Sequence, residues 1–156
     1  MAVVTFSPRH LVILGLAATV GCHGGGSGNL APAPATPEAT IEQFLTAANA
    51  ADLNAMATLW GTENGPESAT QTMRPDVRHQ RLEIMQRLLK SDSHQITATN
   101  QANPMKPVIT VAMNQGTRRY AVPFTMVQSR GGGWLITDID LSSAMPTAGP
   151  RQTPGN

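Results

Sequence analysis

A chain of 156 residues with 11 basic and 10 acidic side chains has room for one domain of ordinary size and carries a formal charge of +1. So even a balance excludes a dedicated nucleic-acid surface, which needs clustered excess positive charge. One cysteine, Cys22, cannot close an internal disulfide, so outside the cytoplasm the fold would stand on packing alone.

The first segment reads as a secretory signal. Arg9 is the one charged side chain before Cys22, and it precedes the apolar run Leu11–Val20 and then Gly21-Cys22. A positive start, a short apolar stretch and small residues before a cut are the parts of such a signal. The run is too short to cross a hydrocarbon layer of ~30 Å as a helix. Val20-Gly21-Cys22 resembles the lipobox of bacterial lipoproteins, in which the cysteine is lipidated and becomes the mature N-terminus. That resemblance implies a signal peptide at 1–21 and membrane attachment through Cys22. His23, rather than an aspartate, follows the cysteine, which implies the outer membrane facing the periplasm. Loss of Arg9 leaves ten basic against ten acidic groups, so the mature chain has no net formal charge. Residues 22–36 then form a Gly/Pro-rich tether, with four glycines between Gly24 and Gly28 followed by Pro32 and Pro34.

The domain is expected over 37–141. Thr36 suits an N-cap, Pro37 the first helical position and Glu38 the positive end of the helix. Ile41, Phe44, Leu45 and Ala48 make one helical stripe. Asp52 caps a second helix that carries Leu53, Met56, Leu59 and Trp60, and Gly61 is placed to end it in a left-handed conformation. Residues 61–74, with Asn64-Gly65-Pro66, read as a loop. A third helix starts at Pro75 with Val77, Ile84, Met85, Leu88 and Leu89 as its apolar stripe. Arg78, Arg81, Arg87 and Lys90 share the rest, and Glu83 is spaced to pair with Arg87.

From residue 94 the period changes to two. Strands are predicted at 94–101, 107–114, 118–128 and 133–141, separated by turn residues at Asn103-Pro104, Asn114-Gln115-Gly116 and Gly131-Gly132-Gly133. Tyr120, Val122, Phe124 and Met126 share a face of the third strand, while Pro123 marks an edge, a bulge or an unpaired amide. On the last strand Trp134, Ile136, Asp138 and Asp140 alternate with Leu135, Thr137, Ile139 and Leu141. Both faces are partly apolar, which places that strand centrally. Residues 142–156 read as a disordered tail.

Helices followed by a meander give an α+β class. Two stretches carry a resemblance to the nuclear transport factor 2-like superfamily. One is Glu38–Trp60, with Ile41, Phe44, Leu45 and the Ala51-Asp52-Leu53 turn. The other is Gly131–Leu141, where a glycine turn precedes Trp134-Leu135-Ile136-Thr137-Asp138-Ile139. The resemblance implies three N-terminal helices packed on a curved antiparallel four-stranded meander sheet, forming a cone with a pocket. The expected pocket lining is Tyr120, Phe124, Trp134 and Asp138.

The superfamily includes isomerases, dehydratases and cyclases, which use a carboxylate or His base facing an acid or tyrosine donor. Here Tyr120, Asp138, Asp140, His79 and His94 are the candidates, and no spacing unites them. No His-x-x-x-His, clustered carboxylate or phosphate loop occurs, so no catalytic residue, metal site or cofactor is assigned. The expected function is binding of a small apolar ligand or an envelope protein partner. The alternatives are a structural module dimerising through its sheet and an isomerase-, dehydratase- or cyclase-like enzyme on an apolar substrate.

Overall fold

The computed structural model describes residues 33–145. The expected signal peptide, Cys22, most of the expected tether and the expected tail from residue 146 lie outside the described residues. In chain order the elements are α1 (Pro37–Asn49), α2 (Leu53–Leu59), β1 (Gly61–Thr62), β2 (Gly65–Pro66), α3 (Glu67–Thr70), α4 (Pro75–Leu89), β3 (Ser93–Asn100), β4 (Val108–Gln115), β5 (Arg118–Gln128) and β6 (Trp134–Ile139). The class is α+β, with three helices of seven or more residues followed by an antiparallel sheet in the order β3-β4-β5-β6. Among the described residues no helix is long and apolar enough to cross a membrane.

Local chemistry sets the helix starts. The Thr36 hydroxyl accepts from Ala39 N at 3.2 Å and the Asp52 carboxylate from Ala55 N at 2.9 Å, each satisfying an amide that the first turn leaves free. Between α1 and α2 the chain reverses through Ala51, a non-glycine residue at φ 55°. Trp60 ends α2 in extended backbone, and Gly61 continues into β1 rather than adopting the left-handed cap. Its glycine is needed for close approach: a Cβ there would lie 2.8 Å from Pro66 Cα and closer still to the Gly65 carbonyl. The stretch expected to be a loop thus holds a small hairpin and the single-turn α3.

Glu67 of α3 is buried, and its carboxylate accepts from the Thr72 hydroxyl and, at 2.7 Å, from Met73 N. These bonds fold residues 71–73 back before α4. The α4 side chains that reach the core are Leu82, Met85 and Leu89, whereas Val77 and Ile84 are each 41% exposed. Glu83 lies 3.4 Å from His79, one turn earlier, and not against Arg87.

The sheet register places Ile109, Val111 and Met113 of β4 beside Phe124, Val122 and Tyr120 of β5 on the side facing the helices. β5 is an interior strand, and Pro123 sits within it. Its carbonyl accepts from Asp140 N, one residue past the end of β6. Its missing donor therefore points the same way, to where the ladder has already stopped.

β6 pairs with β5 alone in the main ladder and is the last strand of the sheet, not a central one. Its outer edge is covered instead by a parallel bridge from Trp60 to Ile136 and by the bond from Trp134 N to Pro34 O, 2.8 Å. Its register shifts at Thr137: Met126 opposes Ile136, but Thr125 opposes Asp138 and Phe124 opposes Ile139. The inserted residue inverts the alternation. Ile136 and Ile139 therefore share the helix side, and Asp138 is turned away from the face it was expected to share with Ile136.

The packed chain extends past both expected limits of the domain. A Cβ on Gly133, at φ 79°, would lie 2.8 Å from Ala33 Cβ, so the end of the tether lies against the β5–β6 turn. At the other end Ala144 is buried, and Arg118 donates to Ala144 O at 3.1 Å and Met145 O at 3.3 Å.

Candidate functional site

The interior is filled. Phe44, Met56, Phe124, Met126 and Ile136 are wholly buried in one apolar cluster with α4's Leu82 and Leu89. Beside it, between α4 and β6, lies a groove of about 450 Å³, one of several open spaces around the described residues.

α4 presents two apolar stripes. Leu82, Met85 and Leu89 take the core side. Val77 and Ile84, spaced by seven residues, recur on the adjoining flank with Arg81 between them, and all three line the groove. Met85 lies at the boundary of the two stripes and also lines the groove. Across from α4 the wall is Thr137, Asp138, Ile139 and Leu141, the segment that the Thr137 bulge re-aims. Trp60 closes one side, where its parallel bridge to Ile136 brings the indole under Arg81. The guanidinium lies 5.7 Å from the ring centroid, within cation–π range.

Chemically the groove offers branched aliphatic surface, one aromatic ring and the Arg81 guanidinium, with Asp138 at its β6 border, where the bulge has turned the side chain from the helix side. Among the described residues neither charge has an ion-pair partner within 4.0 Å. Arg81 and Asp138 are the titratable groups that line the groove.

The four residues expected to line one pocket are dispersed. Phe124 is sealed in the core. Tyr120 is half-buried and donates its phenol to Leu88 O at 3.0 Å, at the far end of α4. Burial raises the Tyr120 pKa above its usual value, and the Arg118 guanidinium over the ring partly opposes this. Trp134 borders a separate cavity of about 250 Å³ with Pro37, Pro104 and Pro107. Of the four, Asp138 is the one that borders the groove.

The histidines stand elsewhere. His94 bonds to Glu42 of α1 at 2.8 Å, and His79 borders another cavity, between α2 and α4. Hydrogen bonds from Ser142 hold the Asp140 carboxyl below its usual range. Among the described residues no group of three His, Cys, Asp or Glu side chains is placed to hold a metal ion.

Trp60, Arg81 and the Val77–Ile84 pair were not singled out from the sequence as site residues. A signal was present in the excess of apolar positions on α4, which exceed one narrow stripe. No protein-family model matches the chain, and neither a curated protein nor a solved structure matches it significantly.

Proposed function

We propose that this chain is a lipid-anchored bacterial envelope protein whose nuclear transport factor 2-like domain binds a small ligand with an apolar body, or an apolar segment of an envelope partner, in the α4–β6 groove. The observation that carries the binding reading is the pair Val77 and Ile84, each 41% exposed on the wall of that groove. Branched aliphatic side chains held open to water on a packed helix gain free energy when covered, roughly 25 cal/mol per Å². The anchor reading is supported by the order Arg9, Leu11–Val20, Gly21-Cys22. The fold reading is supported by three helices preceding a meander, and by the Trp60–Ile136 bridge that brings the helical segment alongside the last strand. The Thr97 and Thr137 bulges, which bend strands, support a curved sheet. No catalytic step is proposed, because Arg81 and Asp138 are not an acid–base pair of the kind an isomerase or dehydratase uses.

Two measurements test this. Fatty-acid labelling of the expressed chain gives a lipidated species that Cys22→Ser removes; an unlabelled product ends the anchor reading. For the groove, Trp60 is the reporter, since it lines the groove. In a Trp134→Phe background its emission shifts on addition of a ligand from a panel of sterols, fatty acids and polyketide-like aromatics. Silence across the panel moves the weight to the structural reading. That second reading is favoured by the filled interior and by the outward sheet face. There Thr110 pairs with Pro123 and Ala112 with Ala121, small side chains suited to close approach by a second copy. Sedimentation analysis of the oligomeric state decides it.

A further inference from the structure

The two ends of the sheet differ. The meander puts the β3–β4 loop (residues 101–107) and the β5–β6 turn (129–133) at one end, and the β4–β5 turn at the other. The start of α1 joins the first end, where Thr36 and Pro37 border the same cavity as Pro104, Pro107 and Trp134. The chain also enters the domain there. Pro34 O accepts from Trp134 N at 2.8 Å, and Ala33 lies against Gly133. Ala33 is eleven residues from Cys22, a span of at most ~40 Å at full extension.

This end presents Met105, the most exposed large hydrophobic side chain among the described residues at 66%. Its loop is held by its own bonds. Asn103 accepts from Met105 N at 3.1 Å through its side chain and from Lys106 N at 3.0 Å through its carbonyl, and Asn100 accepts from Ala102 N at 2.9 Å. Pro104 and Pro107 fix φ on both sides of the tip. The backbone that carries the methionine is therefore set, and covering it costs little further ordering of the loop.

We infer that this end is the bilayer-facing surface of the domain, with Met105 seated among the lipid headgroups and Lys106 reaching back to the phosphates. The inference rests on lipidation of Cys22. Lys106 and Arg130 are offset at the same end by Glu38 and Glu63, so the contact is driven by covering apolar surface and not by anionic lipid. A long ammonium side chain beside a buried neighbour can keep its charge at the phosphate level.

The test uses the full exported chain on phosphatidylcholine vesicles. Met105→Cys and Thr117→Cys are each labelled with a thiol-reactive nitrobenzoxadiazole dye. Cys22, the native cysteine, is blocked by its lipid. The expected result is blue-shifted emission at position 105 with quenching by nitroxide-bearing lipid, neither effect at position 117, and no change when phosphatidylglycerol is added. Equal quenching at both positions, stronger quenching at 117, or none at 105 in a chain shown to carry fatty acid overturns the inference. A chain that takes up no fatty acid overturns the anchor reading and this inference together, so the two failures are told apart.

Discussion

The core beneath α4 and the groove along its flank are built from the same kinds of residue and differ in what covers them. Leu82 and Leu89 are sealed with Phe44, Phe124 and Ile136, whereas Val77 and Ile84 face a groove of about 450 Å³. α4 carries more apolar surface than one core face uses. The sealed side holds the fold together. The surplus contributes less to it, because side chains left partly exposed gain less by folding than sealed ones. A difference in energetic role between two stripes of one helix can be broken or sharpened by mutation.

The largest effect belongs to the sealed side. Phe124→Ala is expected to cost about 3–5 kcal/mol in chemical denaturation, the usual range for removing a large buried aromatic. A loss under about 2 kcal/mol would show room beside the ring and an interior that is open after all. Trp134→Ala is expected to cost less, about 2–3 kcal/mol. The indole is half-buried beside its own small cavity, and its backbone rather than its ring carries the bonds to Pro34 and Thr40.

Much of this architecture is legible in the sequence where a local group decides it. Thr36, Pro37, Asp52 and Pro75 mark helix starts because a cap or a missing amide acts within one turn. The three turn signals delimit the strands to within two residues. What is hidden depends on register and on partners distant in sequence. The Thr137 bulge reverses which side Asp138 takes, and periodicity cannot announce one inserted residue. The same alternation made β6 look central, while its outer edge is covered by Trp60, 76 residues earlier in the chain. Val77 and Ile84 fit a core stripe by spacing, and tertiary packing alone shows that Leu82 joins Met85 and Leu89 on the core side in their place. Glu67 is buried because Thr72 and Met73 fold back onto it, a bond pattern with no periodic signature.

Tyr120 gives a smaller effect at the far end of α4. Tyr120→Phe removes the bond to Leu88 O and is expected to cost about 1 kcal/mol. Burial raises the pKa of this phenol, so the fold favours the protonated form. Its contribution is full below the unfolded value of about 10 and is lost as pH rises through the higher folded value. The chain has one tyrosine, so absorbance titration reads it cleanly. Ionisation in the folded chain is expected above that of the same chain in urea, and Tyr120→Phe should abolish that part of the alkaline loss of stability. Coincident titrations in the two states would place the phenol in open water.

The smallest stability effect is the most informative for the groove. Ile84 is 41% exposed and outside the sealed cluster, so Ile84→Ser is expected to lower stability by about 1 kcal/mol at most, far less than a sealed side chain. Helix propensity adds little to that change, since serine and isoleucine rank close together in helices. The same substitution removes one of the branched aliphatic side chains that line the groove, so a ligand that shifts Trp60 emission in the parent should bind at least tenfold more weakly, about 1.4 kcal/mol. The two readouts separate the roles of the stripes. A large stability loss without any change in binding would assign Ile84 to the core. Unchanged stability with lost binding would assign it to the groove. Unchanged stability and unchanged binding would show that the ligand sits elsewhere, and the α1–α2 groove around Ala47, Ala50 and Ala55 would be the next place to look.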